Sequence, residues 1–423
     1  MHQRNITPHL KEALSDTPVV LLTGARQTGK TTLARDLAFA PEDFPGRYVT
    51  LDDLEVLSAA KADPGGFLAT LAASGEPVIV DEVQHAPELL PAIKASVDRD
   101  RRPGRFLLTG SANVLVLPKV SESLAGRVEI MTLWPLSQAE LGGTTSSFVD
   151  FLFSDTPLGS LPPRSEAMDR ADVVARVLAG GYPEALTRST SRRQDWYSSY
   201  LTTILQRDVR DLANIEGLTQ MPRLMSLLAT RSASLLNLAD LSRTLPLPYT
   251  TLQRYMALLE AIYLVKLLPA WSNNLGTRLL KTPKILITDT GLAGYLMGVS
   301  ESRVVEDPSL LGGLLENFVA LELMKDATWS ETHPSFYHWH TAQREEVDVL
   351  MESRDGRLVG VEVKASTSVS SSDFRGLRAL QASVGGSVSV GGKFHRGILL
   401  YTGQHVLPFG EGLFAVPLSA LWS

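Results

Sequence analysis

The sequence predicts an α/β protein: a doubly wound, parallel-sheet domain, then a helical domain, then a second α/β domain. Three observations predict it. Short apolar runs alternate with helical patterns through the first third. A mostly helical stretch begins near residue 172. Strand patterns and Gly-rich turns return from about residue 310. At 423 residues the chain is too long for one ordinary core, so two or three domains are expected. The boundaries read as 1–140, a connector at 141–171, a helical domain at 172–300 and a last domain at 301–423.

In the first domain Pro18 to Leu22, Tyr48 to Leu51, Val78 to Val80, Phe106 to Leu108 and Val128 to Met131 read as strands. Such continuous apolar runs suit a parallel sheet covered on both faces. Helical patterns such as 31–38 and 87–97 fall between them, which is the rhythm of right-handed βαβ units. Leu141 to Asp169 is rich in Ser, Thr, Gly and Pro and reads as connector. In the helical domain, patterns at 238–245 and 250–263 are joined by Pro246-Leu-Pro248, and a strand-like run at 263–268 follows. Helix, turn, helix, strand is the order of a winged helix. Ser366 to Ser372 is a serine-rich loop.

Composition narrows the function classes. Apolar residues make up 44% and charged residues 20%, which is globular rather than disordered. The formal net charge of −6 excludes a surface that is basic all over, although it leaves room for a local basic face. Cysteine is absent, which removes disulfides, thiolate catalysis and thiolate metal sites. The N-terminus does not read as a signal peptide, and no run of about 18 apolar residues is present. The expectation is a cytoplasmic protein without a membrane span.

The chemistry is concentrated at Gly24-Ala25-Arg26-Gln27-Thr28-Gly29-Lys30-Thr31, which fits GxxxxGK[ST] in full. A buried strand precedes it and a helix follows it. The glycines let the backbone curl so that consecutive N–H groups face a phosphate, and the helix N-terminus adds positive potential at the same place. Lys30 is assigned to the β- and γ-phosphates and Thr31 to Mg²⁺, with Thr32 closing the loop. The second element is Asp81-Glu82, two acids after the apolar run at 77–80. Adjacent carboxylates there are costly unless a cation or water meets them. Asp81 is assigned to the Mg²⁺ shell and Glu82 to polarising the attacking water. With a phosphate loop of this kind, the strand between the two site strands is expected to carry a polar residue near the γ-phosphate. Ser111 is the candidate, with Thr109 and Asn113 behind it. Arg127, just before the last strand, is the candidate arginine finger for a neighbouring subunit.

With these motifs in place, the chain resembles the bacterial and archaeal AAA-type ATPases that carry a C-terminal, restriction-endonuclease-like domain of unknown function. The matching segments are residues 24–32, 80–84, 108–112, 123–127, 135–137, 180–184, 289–292, 315–319, 346–348 and 361–364. They run in order along nearly the whole chain. The resemblance implies a five-stranded AAA-type P-loop core, a winged helix after it, and a nuclease-like end. It implies ATP and Mg²⁺ as cofactors.

In the last domain Glu346 and Asp348 are two apart and share a strand face, as do Glu362 and Lys364. The turn at 354–357 reads as a hairpin that brings Asp348 beside Glu362 and Lys364. Two carboxylates suit Mg²⁺, and a lysine suits a developing charge. This is the D…ExK pattern of restriction-like nucleases, with Glu316 as the additional acid on the preceding helix. Whether such a fold cuts is a separate matter from whether it is present.

Three functions fit. The first is an ATPase acting on DNA as a homo-oligomeric ring or cluster, with Arg243, Gln253 and Arg254 near a recognition helix at 249–259. The second is a nucleotide-gated assembly switch whose nuclease fold is inert. The third is an ATP-regulated, Mg²⁺-dependent nuclease. The basic run 99–105 reads as a solvated loop, and Trp196, Tyr197 and Tyr200 as core with a solvated flank.

Overall fold

A computed structural model describes residues 2–39, 45–111, 124–145, 147–160, 168–212, 218–274, 276, 278, 281–385 and 393–422. Asn113 therefore lies outside the described residues. The chain divides into two compact units. One comprises residues 3–136 with 261–263, and the other residues 137–260 with 264–423.

In the first unit, β1 (Val19–Thr23), β2 (Arg47–Thr50), β3 (Val78–Asp81), β4 (Phe106–Gly110) and β5 (Val128–Thr132) form one sheet in the order β2-β3-β4-β1-β5. Every pairing is parallel. Alternate residues of each central strand point to opposite faces, so both faces must be apolar. Val19, Leu21, Val78, Val80, Phe106 and Leu108 pack under Leu68, Leu71, Leu90, Ile93 and Val97 of the helices Pro64–Leu71 and Leu89–Arg99. Val20, Leu22, Ile79 and Leu107 pack under Leu10, Leu14, Leu33 and Leu37 of the helices Thr7–Asp16 and Lys30–Phe39. This two-sided burial explains the uninterrupted apolar runs. In the basic run 99–105, Arg105 is buried and donates to the carbonyls of Ser96 (2.7 Å) and Asp100 (2.6 Å).

The second unit holds the helical region and the C-terminal sheet. Its helices include Arg170–Ala179, Thr190–Leu212, Met221–Thr230, Leu238–Thr244 and Tyr249–Ala261. The hairpin β6 (Val265–Leu268) and β7 (Lys284–Ile287) follows them. Tyr197 and Tyr200 are buried beside Tyr182 and Trp196 as an aromatic cluster. The stretch 141–171, expected as connector, carries the helix Phe148–Phe153, whose Phe148, Val149, Leu152 and Phe153 are buried. Arg396 holds that helix end by donating to the carbonyls of Ser154 and Thr156, each at 2.7 Å.

The C-terminal sheet runs β12 (Leu407–Gly410), β13 (Leu413–Pro417), β11 (Phe394–Tyr401), β10 (Leu358–Lys364), β9 (Glu346–Glu352) and β8 (Ser335–His340). β8, β9 and β10 are antiparallel neighbours, while β11 lies parallel to β10 after the helix Arg375–Ser383. The helix Leu311–Asp326 precedes them and is apolar almost all round, as a buried helix must be. Its one fully buried amide, Asn317, donates to the carbonyl of Ile287 (2.8 Å) and accepts from its N–H (2.9 Å), so the side chain caps the edge of β7.

Candidate functional site

The strand β1 ends at Thr23 and the loop 24–29 leads into the helix Lys30–Phe39. Gly24 has φ +142°, and a Cβ there would lie 2.2 Å from the Leu133 carbonyl oxygen. Gly29 has φ +96°, a conformation that side chains disfavour. The loop thus curls where a residue with a side chain would not. Lys30 is buried and donates to the carbonyls of Gly24 (2.9 Å) and Ala25 (2.7 Å). Thr28 is buried and donates to the Ala25 carbonyl at 3.0 Å. Arg26 lies within the loop and is half-buried, and Thr32 is exposed on the first turn of the helix. From the N-terminal segment, Arg4 donates to the carbonyls of Thr28 and Trp134, each at 2.7 Å. The loop is therefore braced by a guanidinium that the motif does not contain.

The register Thr50↔Asp81 and Val80↔Leu108 sets the second element against β2 and β4. Asp81 is only 1% exposed. A buried carboxylate needs hydrogen-bond donors, and three hydroxyls supply them. Thr31 donates at 2.9 Å, Tyr48 at 2.7 Å, and Thr109 also donates. Burial and then the bond to Asp81 push the Tyr48 phenol up to about 12. Arg35 lies 5.0 Å over the Tyr48 ring. The Thr109 hydroxyl also accepts from the Glu82 backbone N–H at 3.1 Å, so a single side chain holds the Asp81 carboxylate and the Glu82 main chain. Glu82 has φ +60°, a left-handed conformation that costs on the order of 1–3 kcal/mol for a residue with a side chain. Gln84 donates to the Glu82 carboxylate and, at 3.0 Å, to Ser111. Ser111 thus reaches the Glu82 carboxylate through an amide, whereas Thr109 contacts the Asp81 carboxylate directly. The Thr31 hydroxyl and the Asp81 carboxylate, both oxygen donors on facing elements, suit Mg²⁺.

Sequence relatives cover nearly the whole chain. An AAA domain model matches residues 16–142, and two domains of unknown function, DUF8612 and DUF4143, match 170–303 and 311–421. Two uncharacterized proteins, Mb2031c of Mycobacterium bovis and Rv2008c of Mycobacterium tuberculosis, are each 34% identical over 420 residues. The alignment covers 99% of this chain and 84% of theirs. This chain belongs to their family. Among solved structures, a signal-transduction ATPase with a tetratricopeptide repeat sensor from Pyrococcus horikoshii aligns at 13% identity with a TM-score of 0.27. That alignment covers 77% of this chain and 45% of the other.

The family member described here carries an AAA-type P-loop domain with a five-stranded parallel sheet. β4 lies between β3 and β1, where the polar strand was expected. Arg127 lies at the other end of the sheet, since Val19 pairs with Val128 while the loop follows Thr23. It donates to Asp98 at 2.6 Å and to the Ala125 carbonyl at 2.9 Å. It does not reach the loop of its own chain. No helix among the described residues is long and apolar enough to cross a membrane.

At the C-terminal sheet the structure gathers the predicted acids but not the predicted lysine. Asp348 and Glu362 lie on neighbouring antiparallel strands, and Asp348 accepts from the Val363 N–H at 3.1 Å. Lys364 turns away and pairs with Asp373. In its stead stands Lys284 of β7, a residue that the sequence reading passed over. Its ammonium lies 2.5 Å from Glu346, 3.2 Å from Asp348 and 3.9 Å from Glu316. Burial alone would lower the Lys284 pKa, but the charges of Asp348, Glu346 and Glu316 outweigh it and raise it. Burial, followed by the charge of Asp348, pushes Glu316 and Glu362 each up to about 8. Glu362 Oε1 is buried without a hydrogen-bond partner. The D…ExK reading is therefore corrected at its lysine: the cation beside Asp348 comes from the helical region's hairpin.

Proposed function

We propose that this chain binds ATP with Mg²⁺ at residues 24–32 and hydrolyses it, with Lys30 on the phosphates, Thr31 and Asp81 on the metal, and Glu82 acting on the attacking water. The observation that carries this reading is the buried Asp81 carboxylate facing the Thr31 hydroxyl at 2.9 Å across the curled loop. Thr109, bonded to the Asp81 carboxylate and the Glu82 backbone N–H, is the better placed sensor, with Ser111 linked to Glu82 through Gln84. Magnesium supplies charge neutralisation for the phosphates, while the loop amides and Lys30 orient them. Glu82→Gln is expected to keep ATP binding and to lower turnover by about 10²–10⁴-fold, the usual weight of a general base. Turnover within tenfold of the parent, measured by phosphate release, would remove Glu82 from this role. Arg127 faces away from its own loop, so an arginine-finger role requires a homo-oligomeric ring or cluster.

A second reading concerns DNA. The order of helices 221–230, 238–244 and 249–261, followed by the hairpin β6–β7, supports a winged helix. Arg243, Gln253 and Arg254 are exposed on it. The order of helix 311–326, β8 to β10, helix 375–383 and β11 supports the restriction-endonuclease-like core. If the winged helix holds a duplex, Arg243→Ala with Arg254→Ala should weaken binding and flatten its salt dependence by about 0.9 log units per lost phosphate contact. Fluorescence anisotropy at several salt concentrations checks this. Duplex binding that is absent from the parent protein, or indifferent to salt, leaves the nucleotide-gated assembly switch. That alternative predicts a size that changes between ATP and ADP.

A further inference from the structure

The acids Glu316, Glu346 and Asp348 resemble a divalent-cation site in residue type, yet a side chain stands among them. Lys284 is 2% exposed, and its ammonium is within 4 Å of all three carboxylates. A cation held by hard oxygen ligands and an ammonium held by the same oxygens need the same space and the same charge balance. The lysine position is fixed by its strand. Lys284 pairs with Leu268 in the hairpin and bridges to Leu235, while Asn317 clamps Ile287 three residues on. That pairing fixes where the side chain leaves the backbone, and the three carboxylates hold the buried ammonium at its end. Meanwhile the motif lysine, Lys364, is engaged by Asp373 and stays outside the cluster.

We propose that Lys284 is the resident cation of the Glu316–Glu346–Asp348 cluster, standing where a divalent metal would sit, so that this domain does no metal-dependent cleavage at these residues. The inference is independent of the nucleotide site and is tested without nucleotide. Mn²⁺ binding is counted by electron paramagnetic resonance on the full chain. The parent and Asp348→Asn should bind the same amount, because no Mn²⁺ depends on Asp348. Glu346→Gln, at the exposed rim of the cluster, provides a milder comparison with the same expectation. Lys284→Met should gain an additional equivalent of Mn²⁺, and the gain should vanish when Asp348→Asn is added. Mn²⁺ bound by the parent and lost in Asp348→Asn or Glu346→Gln would overturn the proposal. A folded Lys284→Met that gains no ion would overturn it too. If Lys284→Met does not fold, the parent against the two acid variants still decides, since they leave the lysine in place.

Discussion

Lys30→Ala is expected to take ATP binding below detection by calorimetry while leaving the circular dichroism spectrum unchanged. Lys30 is 4% exposed and its ammonium is already held within the loop by the Gly24 and Ala25 carbonyls. It is therefore positioned before any phosphate arrives, and little side-chain entropy remains to be lost on binding. Charge-assisted hydrogen bonds contribute about 1.5–3 kcal/mol each, so losing the ammonium should weaken binding by at least about 10²-fold. The fold should survive, because the sheet core does not use this side chain. An affinity within about threefold of the parent would sink the nucleotide assignment altogether.

Asp289→Ala should destabilise the second unit by about 3 kcal/mol or more, since three buried donors each lose an acceptor at about 1–3 kcal/mol apiece. The Asp289 side chain is buried and accepts from three groups. These are the Gly181 N–H at 2.7 Å, the Leu292 N–H at 2.9 Å and the Tyr197 hydroxyl at 2.9 Å. It caps the helix Thr290–Met297 and ties it to the turn at 180–181. A methyl in its place leaves those donors buried without an acceptor. Urea unfolding followed by tryptophan fluorescence checks this, since five of the six tryptophans lie in this unit. Asp289→Asn, which keeps an acceptor oxygen, should lose less. A midpoint that hardly moves would show that Asp289 is not holding this turn.

Both outcomes bear on what could be read from the sequence. The loop 24–31 was legible because its geometry is local: glycine spacing and a following helix dictate it. Asp81 was legible as an acid at a strand end, but its companions were not. Tyr48 is 33 residues away and Arg4 is 24 residues from Thr28, and nothing in either neighbourhood marks it. Lys284 meets Asp348 across 64 residues and sits in an apolar strand, where a lone lysine reads as an edge residue. The segments 180–184 and 289–292 both belong to the family resemblance, but only the fold shows that Asp289 joins them. The helix Phe148–Phe153 was hidden because its polar, proline-rich surroundings dominate the composition of that stretch.

The lysine on β7 also bears on how the polypeptide could be divided. A cut near residue 300, attractive as a junction between the helical part and the last sheet, would put one positive group on one fragment and its three negative partners on the other. Asn317 would be parted from Ile287 by the same cut. Each piece would then carry uncompensated polar atoms at a freshly exposed seam, so the residues on either side of that cut are better produced and studied together than apart.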